Sequence, residues 1–370
     1  MGFEYIDYDN CIVNLACSIM RYCGIEYTHK TMPEVDKVID EGNYASVALL
    51  LFDGMGYDLM KELLPEDAFL IRNLRRPIYS VFPTTTATAT TSLQTGLYPA
   101  EHRWLGWNLW FDEIGKTVTI LLNKEKDTDK DAADFHVAET FIPAESLFNR
   151  CPSGVKGITI SPFHSGAIRY PDGDLAAYFD TVERICEKPG KKAVYAYCTE
   201  PDGTMHLTGA KSGETAGFFR MINDGVEKLT KKFPDTLFIV TADHGHRDVR
   251  YVVLEEEHPQ ICSLLRRDIS IEGRACTFWI KDGCLGEFDR LFEESFGDDF
   301  ILMSHDDVVE NRIFGPSENK DYERFVGDRL AIGFGDRYLV LRKGTNESVS
   351  QHSGITRAET LVPLILLGRR

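Results

Sequence analysis

The sequence predicts an α/β fold: a mostly parallel sheet flanked by helices, with a smaller α+β subdomain inserted before the last core element. Three observations carry this. Continuous apolar runs of strand length, such as SVALLLF at 46–52 and TLFIVT at 236–241, alternate with amphipathic helical stretches, as in strands buried on both faces and joined by crossover helices. Several of these runs end in Asp, Gly or His, and ligands of open α/β sheets gather at the carboxyl ends of the strands. From about Arg250 to Lys343 the alternation gives way to short mixed segments with Gly and Pro between them.

In chain order, Ile12, Leu15, Ala16, Ile19, Met20 and Cys23 set out one amphipathic helix closing at Gly24. The strand 46–52 ends at Asp53 and two glycines and feeds the helical YDLMKELL. A short strand IYSVF leads into ATATTSLQTG, read as a helix with Gly96 near its end. The polar run 112–139 looks like a surface insertion or lid. FIPAESLFNR then suggests a helix, GVKGITIS a strand, DGDLAAYFDTVERICEK a helix and KKAVYAYC a strand ending in TEPDGTMH. A helix from about Glu214 to Lys232 leads to TLFIVTADHGH. RACTFWIK, CLGEFDRLFEESFG and RYLVLRK belong to the inserted part, and the chain closes with His352 in a loop, a short helix at ITRAET and a last strand LVPLILL. The expected division is an N-terminal helical segment 1–45, a catalytic core 46–250 plus 344–370 with its insertion at 112–139, and an inserted subdomain 251–343.

The 370 residues, 43% hydrophobic and 27% charged, are those of an ordinary globular protein, which argues against disorder. A net charge of −17 repels nucleic-acid polymers and anionic membranes. A small phosphate ester would need a local positive source, and bound divalent cations would supply one. The nine cysteines are odd in number and include no CxxC, so free thiols in a reducing compartment are expected. No basic start with an apolar h-region and no apolar run of about 18 residues occurs, and the expected location is cytoplasmic.

Between Pro83 and Gly96 stand eight Thr and Ser residues. A hydroxyl is a weak nucleophile until a base or a metal ion activates it. The chain offers metal-binding side chains in matching places: Asp53, Asp202, His206, Asp243, His244 and His352 all follow strand-like runs or sit in the last core loop. Each alone has a plainer reading, as a helix cap or a solvated loop residue. Together they make two sets of three ligands with coordination positions left open, the arrangement expected of a catalytic two-ion phosphoryl-transfer site. Trp104, Trp107 and Trp110 crowd into seven residues and are candidates to stack on a nucleobase or aryl group, with core packing or a lid as the alternative.

The motifs VALLLFDGMG, FPTTT…TGLYPAEH, PDGTMH, TADHGH and QHSGITRAETLVPL, in that order, resemble the alkaline phosphatase superfamily, most of all its nucleotide pyrophosphatase/phosphodiesterase branch. The resemblance runs from about residue 46 to the C-terminus. It implies an alkaline-phosphatase-like core sheet and a hydrolase working through a phospho-threonine on two metal ions, Zn2+ or Mn2+. In that family the nucleophilic Thr lies nine residues before the Thr of the Thr-Gly pair, which selects Thr86, with Thr84 and Thr85 as the neighbouring registers. The resemblance further implies one ion on Asp202, His206 and His352, a second on Asp53, Asp243, His244 and the Thr86 oxygen, and an Asn donating to the phosphoryl oxygen, here Asn108. The chain departs from the pattern at Ala87–Thr90, where the diesterase branch carries Pro-Asn-His, at Arg103, in the spacing of Asn108, and in the additional His246. Phosphomonoesterase, phosphonoacetate hydrolase and a catalytically inactive binding module are the competing readings.

Overall fold

A computed structural model describes residues 5–164, 166–344 and 347–369. Its main sheet has six strands, in spatial order Leu74–Tyr79, Leu361–Leu367, Thr236–Thr241, Ser46–Phe52, Lys192–Cys198 and Lys156–Ile160. All are parallel except Leu361–Leu367, which runs antiparallel to both neighbours. Helices flank this mostly parallel sheet, as the apolar runs predict. Every residue of the central strand Ser46–Phe52 is buried, so the run carries no alternation. In the last strand Pro363 pairs with Pro77, so the two residues that cannot donate to a ladder face one another.

The helix Ile12–Cys23 ends where expected, with Gly24 in the left-handed region at φ 74°. The hydroxyl-rich stretch forms the helix Thr86–Thr95, closed by Gly96 at φ 70° and buried along its whole length. FIPAESLFNR does not form the expected helix: helical structure stops at Phe141 in the helix Val137–Phe141, and turns follow. Pro143 explains the stop, since it lacks an N–H and pushes the preceding residue out of the helical region. The first strand before the hydroxyl helix is Leu74–Tyr79, four residues earlier than IYSVF suggests.

A second, antiparallel sheet of seven strands runs Phe300–Ser304, Arg329–Gly333, Ala275–Phe278, Ser270–Glu272, Asn108–Phe111, Lys116–Thr119 and Lys124–Glu125. The segment after the hydroxyl helix and the segment after residue 250 thus build one sheet, with its own apolar cores. Arg274, fully buried, ties this sheet to the end of the chain through Glu359 at 2.7 and 2.9 Å. All nine cysteines are free thiols. No helix among the described residues is long and apolar enough to cross a membrane.

Candidate metal centre

The carboxyl edge of the main sheet gathers the six predicted ligands. Asp53 directly follows Ser46–Phe52, and Asp243 and His244 follow Thr236–Thr241, the neighbouring strand. Asp202 opens the helix Asp202–Thr208 just beyond Lys192–Cys198. His206, four residues on, lies on the same helix face, its Nε2 3.2 Å from Asp202 Oδ2. A two-stranded ladder, Arg247–Asp248 against Ser350–Gln351, brings the loop of His352 alongside. The glycines of both DGMG and DHGH serve this crowding: a side chain on Gly245 would meet the carbonyl of Ala358 and one on Gly56 would meet the backbone of Gly245.

Each imidazole is oriented from behind. Nδ1 of His206 faces the Ser350 carbonyl at 2.9 Å, that of His352 the Thr84 carbonyl at 3.0 Å, and that of His244 the Gly245 carbonyl at 3.1 Å. A carbonyl only accepts, so in each neutral ring Nδ1 carries the proton and Nε2 turns a lone pair inward. Those lone pairs face carboxylates: His244 Nε2 lies 3.4 Å from Asp53 Oδ1 and 3.6 Å from Asp243 Oδ2, and His352 Nε2 lies 3.8 Å from Asp202 Oδ1. The rings of His244 and His352 stack at 3.8 Å.

The electrostatics call for cations. Burial, then the nearby charges of Asp243 and Asp202, push the Asp53 carboxyl well above its usual range, and burial raises Asp243 as well. Burial opposes ionisation of Asp202 too, but His206 and His246 beside it hold its carboxyl well down. At His206 burial is outweighed by Asp202, which draws the ring up to about 9, whereas burial pushes His246 down to about 4 and His352 well down. Asp53 Oδ1 and Asp243 Oδ2 are buried without a hydrogen-bond partner, the state expected of oxygens kept for a cation. Ligand atoms of Asp202, His206, His246 and His352 lie within 4.8 Å of one another, as do those of Asp53, Asp202 and His244. Oxygen and imidazole donors in such groups can bind divalent metal.

The three candidate threonines are told apart by their hydrogen bonds. The Thr84 hydroxyl donates to Gly354 O at 2.9 Å and that of Thr85 to Glu272. Thr86, the first residue of its helix, turns its hydroxyl to Asp53 Oδ2 at 3.4 Å and His244 Nε2 at 3.3 Å. Asn108 stands on the second sheet, its side-chain oxygen accepting from Thr119 at 2.8 Å, and pairs with Ile271, the neighbour of Glu272. Ile271 has φ 69°, a costly conformation for a β-branched residue, beside the Glu272 carboxylate that accepts from Thr85.

The tryptophans divide. Trp104 is buried, donates to Ile142 O at 2.9 Å and lines a cavity of about 810 Å³ with Thr91, Gln94, Thr95, His136 and His164. Trp110 donates to Asp112 and lies against the Arg267 guanidinium, while Trp107 packs on the second sheet's core. Sequence reasoning missed Tyr197, whose hydroxyl donates to Asp53 Oδ2, and Glu272. The alternation of Tyr195 and Tyr197 in KKAVYAYC was the available signal for the first, since both point to one face of their strand.

Comparison with known proteins bears on the fold and the family. Three solved structures share the fold: murine ectonucleotide pyrophosphatase/phosphodiesterase 5 (TM-score 0.63, 16% identity, 87% of this chain and 88% of that one), its human counterpart (0.63, 16%, 87% and 87%) and phosphonoacetate hydrolase from Sinorhizobium meliloti 1021 in complex with phosphonoacetate (0.62, 16%, 89% and 91%). The murine enzyme is also known as an inactive form, one threonine replaced by alanine, in complex with AMP. No curated protein matches by sequence. The family model of type I phosphodiesterase/nucleotide pyrophosphatase matches residues 47–275, the stretch that holds Asp53, Thr86, Asp202, His206, Asp243 and His244, and the chain belongs to that family.

Proposed function

We propose that the protein is a two-metal phosphodiesterase or nucleotide pyrophosphatase in which Thr86 attacks phosphorus. The observation that carries this is the hydroxyl of Thr86, alone among Thr84, Thr85 and Thr86 in lying between Asp53 and His244, at the start of a ten-residue buried helix. One ion belongs to the Asp202, His206 and His352 side and the other to Asp53, Asp243, His244 and Thr86; Zn2+ and Mn2+ both suit these donors. When bound, such ions supply positive charge that favours an ionised Thr86 oxygen and draws an anionic ester into an otherwise acidic protein.

The chain's own groups account for the rest. The Thr86 proton has two acceptors within reach, Asp53 Oδ2 and His244 Nε2. As Thr86 Oγ bonds to phosphorus, the ester or anhydride oxygen leaves on the opposite side, and water later hydrolyses the phospho-threonine. The positive end of the Thr86–Thr95 helix favours the phosphoryl oxygens, and Asn108, with its oxygen already engaged by Thr119, has its amide N–H groups for the same task. Small phosphate esters or nucleotides are the substrate class, supported by the AMP and phosphonoacetate bound to structural relatives. The nine free thiols support a cytoplasmic setting.

The test is metal content per chain by plasma mass spectrometry on protein purified without chelator, with hydrolysis of bis(p-nitrophenyl) phosphate, p-nitrophenyl phosphate and phosphonoacetate compared side by side. Two ions and diester turnover well above the other two are expected. Turnover of phosphonoacetate alone would move the assignment to the phosphonate hydrolases, and neither metal nor turnover after adding back Zn2+ and Mn2+ would end the enzymatic reading.

A further inference from the structure

His246, the last residue of DHGH, has no role in a scheme of three ligands per ion, yet its ring is 1% exposed and sits inside the cluster. Its surroundings fix which nitrogen carries the proton. Ser350 Oγ donates to the Arg247 carbonyl at 3.0 Å, which uses the hydroxyl's one proton. Toward His246 Nδ1, 2.6 Å away, the same oxygen must therefore accept, so Nδ1 bears the hydrogen. The opposite nitrogen, Nε2, then presents a lone pair 2.6 Å from Asp202 Oδ1, itself an acceptor. Two acceptors at that separation repel unless a shared proton or a metal ion lies between them, and the same Nε2 belongs to a group with Asp202, His206 and His352 whose ligand atoms all lie within 4.8 Å of one another. The hydroxyl behind the ring is the kind of outer partner that aims a ligating imidazole.

We propose that His246 is a direct metal ligand, so that the ion on Asp202 is held by four protein side chains, Asp202, His206, His246 and His352. The proposal rests on the two-ion reading above and changes its first site. Four protein donors fill a tetrahedral ion, the closed arrangement of structural zinc. An ion at this site that also takes water or a substrate oxygen must then accept five or six donors. The site is therefore built for a five- or six-coordinate first-row ion rather than a tetrahedral one, and three imidazoles on one ion are its signature.

The experiment reads coordination and affinity. Protein stripped with chelator is titrated with Co2+ and followed by visible absorption and by X-ray absorption, in the wild type, His246→Ala and Ser350→Ala, with circular dichroism of each stripped protein to show that it is folded. In the wild type we expect two bound ions, one with the weak visible bands of five- or six-coordinate cobalt and the scattering of three imidazoles. His246→Ala should weaken one of the two binding steps by at least about 100-fold and leave the other unchanged, while Ser350→Ala weakens the same step by about 10-fold. Two ions bound by His246→Ala with wild-type affinity and spectrum would overturn the proposal and leave the two-ion reading standing. A folded wild type that binds no cobalt would overturn both. If His246→Ala alone is unfolded, His246→Gln, which keeps the ring's bulk in part, replaces it under the same criteria.

Discussion

Arg274 and Glu359 meet in a two-pronged bond at 2.7 and 2.9 Å with neither side chain open to solvent. The rest of the guanidinium is satisfied by the carbonyls of Gly335 and Arg337, and Glu359 also accepts from Gly354 N and the Thr356 hydroxyl. The pair locks the second sheet to the turn that follows His352. Removing one member leaves a buried charge without its partner, so Arg274→Ala should lower unfolding free energy by about 3–5 kcal/mol, read by urea denaturation. An Arg274→Ala protein within about 0.5 kcal/mol of wild type would show that the pair is not holding the sheets together.

The same carboxylate gives a pH dependence. Burial works against ionisation of Glu359, but the charge and hydrogen bonds of Arg274, with those of Thr356, outweigh it and lower its pKa below the usual 4.5. A depressed folded value means that the stabilisation is complete above about pH 4.5 and lost as the pH falls through the folded value. The stability gap between wild type and Glu359→Gln should therefore be widest near neutrality and shrink below pH 4.5, in denaturation curves collected at several pH values.

Thr86→Ala should reduce diester turnover by about 10³-fold or more while the protein still binds metal. Thr84→Ala is the contrasting variant, because its hydroxyl is engaged by Gly354 O: it should lose about 1–3 kcal/mol of stability and keep kcat within about tenfold. Equal turnover losses in the two would place the nucleophile elsewhere in the run.

Tyr197 donates to the Asp53 oxygen that also faces Thr86. Tyr197→Phe keeps the ring and removes that bond, and should weaken one metal-binding step by about 10- to 100-fold in a competitive chelator titration. Unchanged affinity would reduce Tyr197 to packing.

Chelation should lower the melting temperature of the wild type, since the inward carboxylates and imidazoles then repel one another, and re-addition of Zn2+ or Mn2+ should restore it. At a free ion concentration of 100 times Kd the recovered stability is about 2.7 kcal/mol per ion. A melting temperature indifferent to chelator would argue against cations in this cluster.

The six-stranded sheet and its edge were legible in the sequence because fully buried strands write themselves as unbroken apolar runs, and the residue after each run lands at the ligand edge. Asp53, Asp202, His206, Asp243 and His244 are read this way, each just after a strand-like run. What escaped comes from elsewhere in the chain. Glu272 reaches Thr85 from 187 residues away, and Ser350 meets His246 across 104. No local pattern encodes such meetings. The missed stop at Phe141 was local, and Pro143 was there to be read.

The Asp and His side chains gather at the carboxyl edge of one sheet, on its loops and an adjoining helix, and Asn108, Trp110 and Glu272 stand on the other sheet. On the proposed reading, the metal-binding groups and the groups that face them from the second sheet are inherited through separate parts of the molecule. Substitutions along 108–111 or 270–272 can then alter that second sheet without moving a strand end that bears a ligand. Under the proposed function, a chain of this build can drift from one anionic ester to another while its metal-binding edge stays the same.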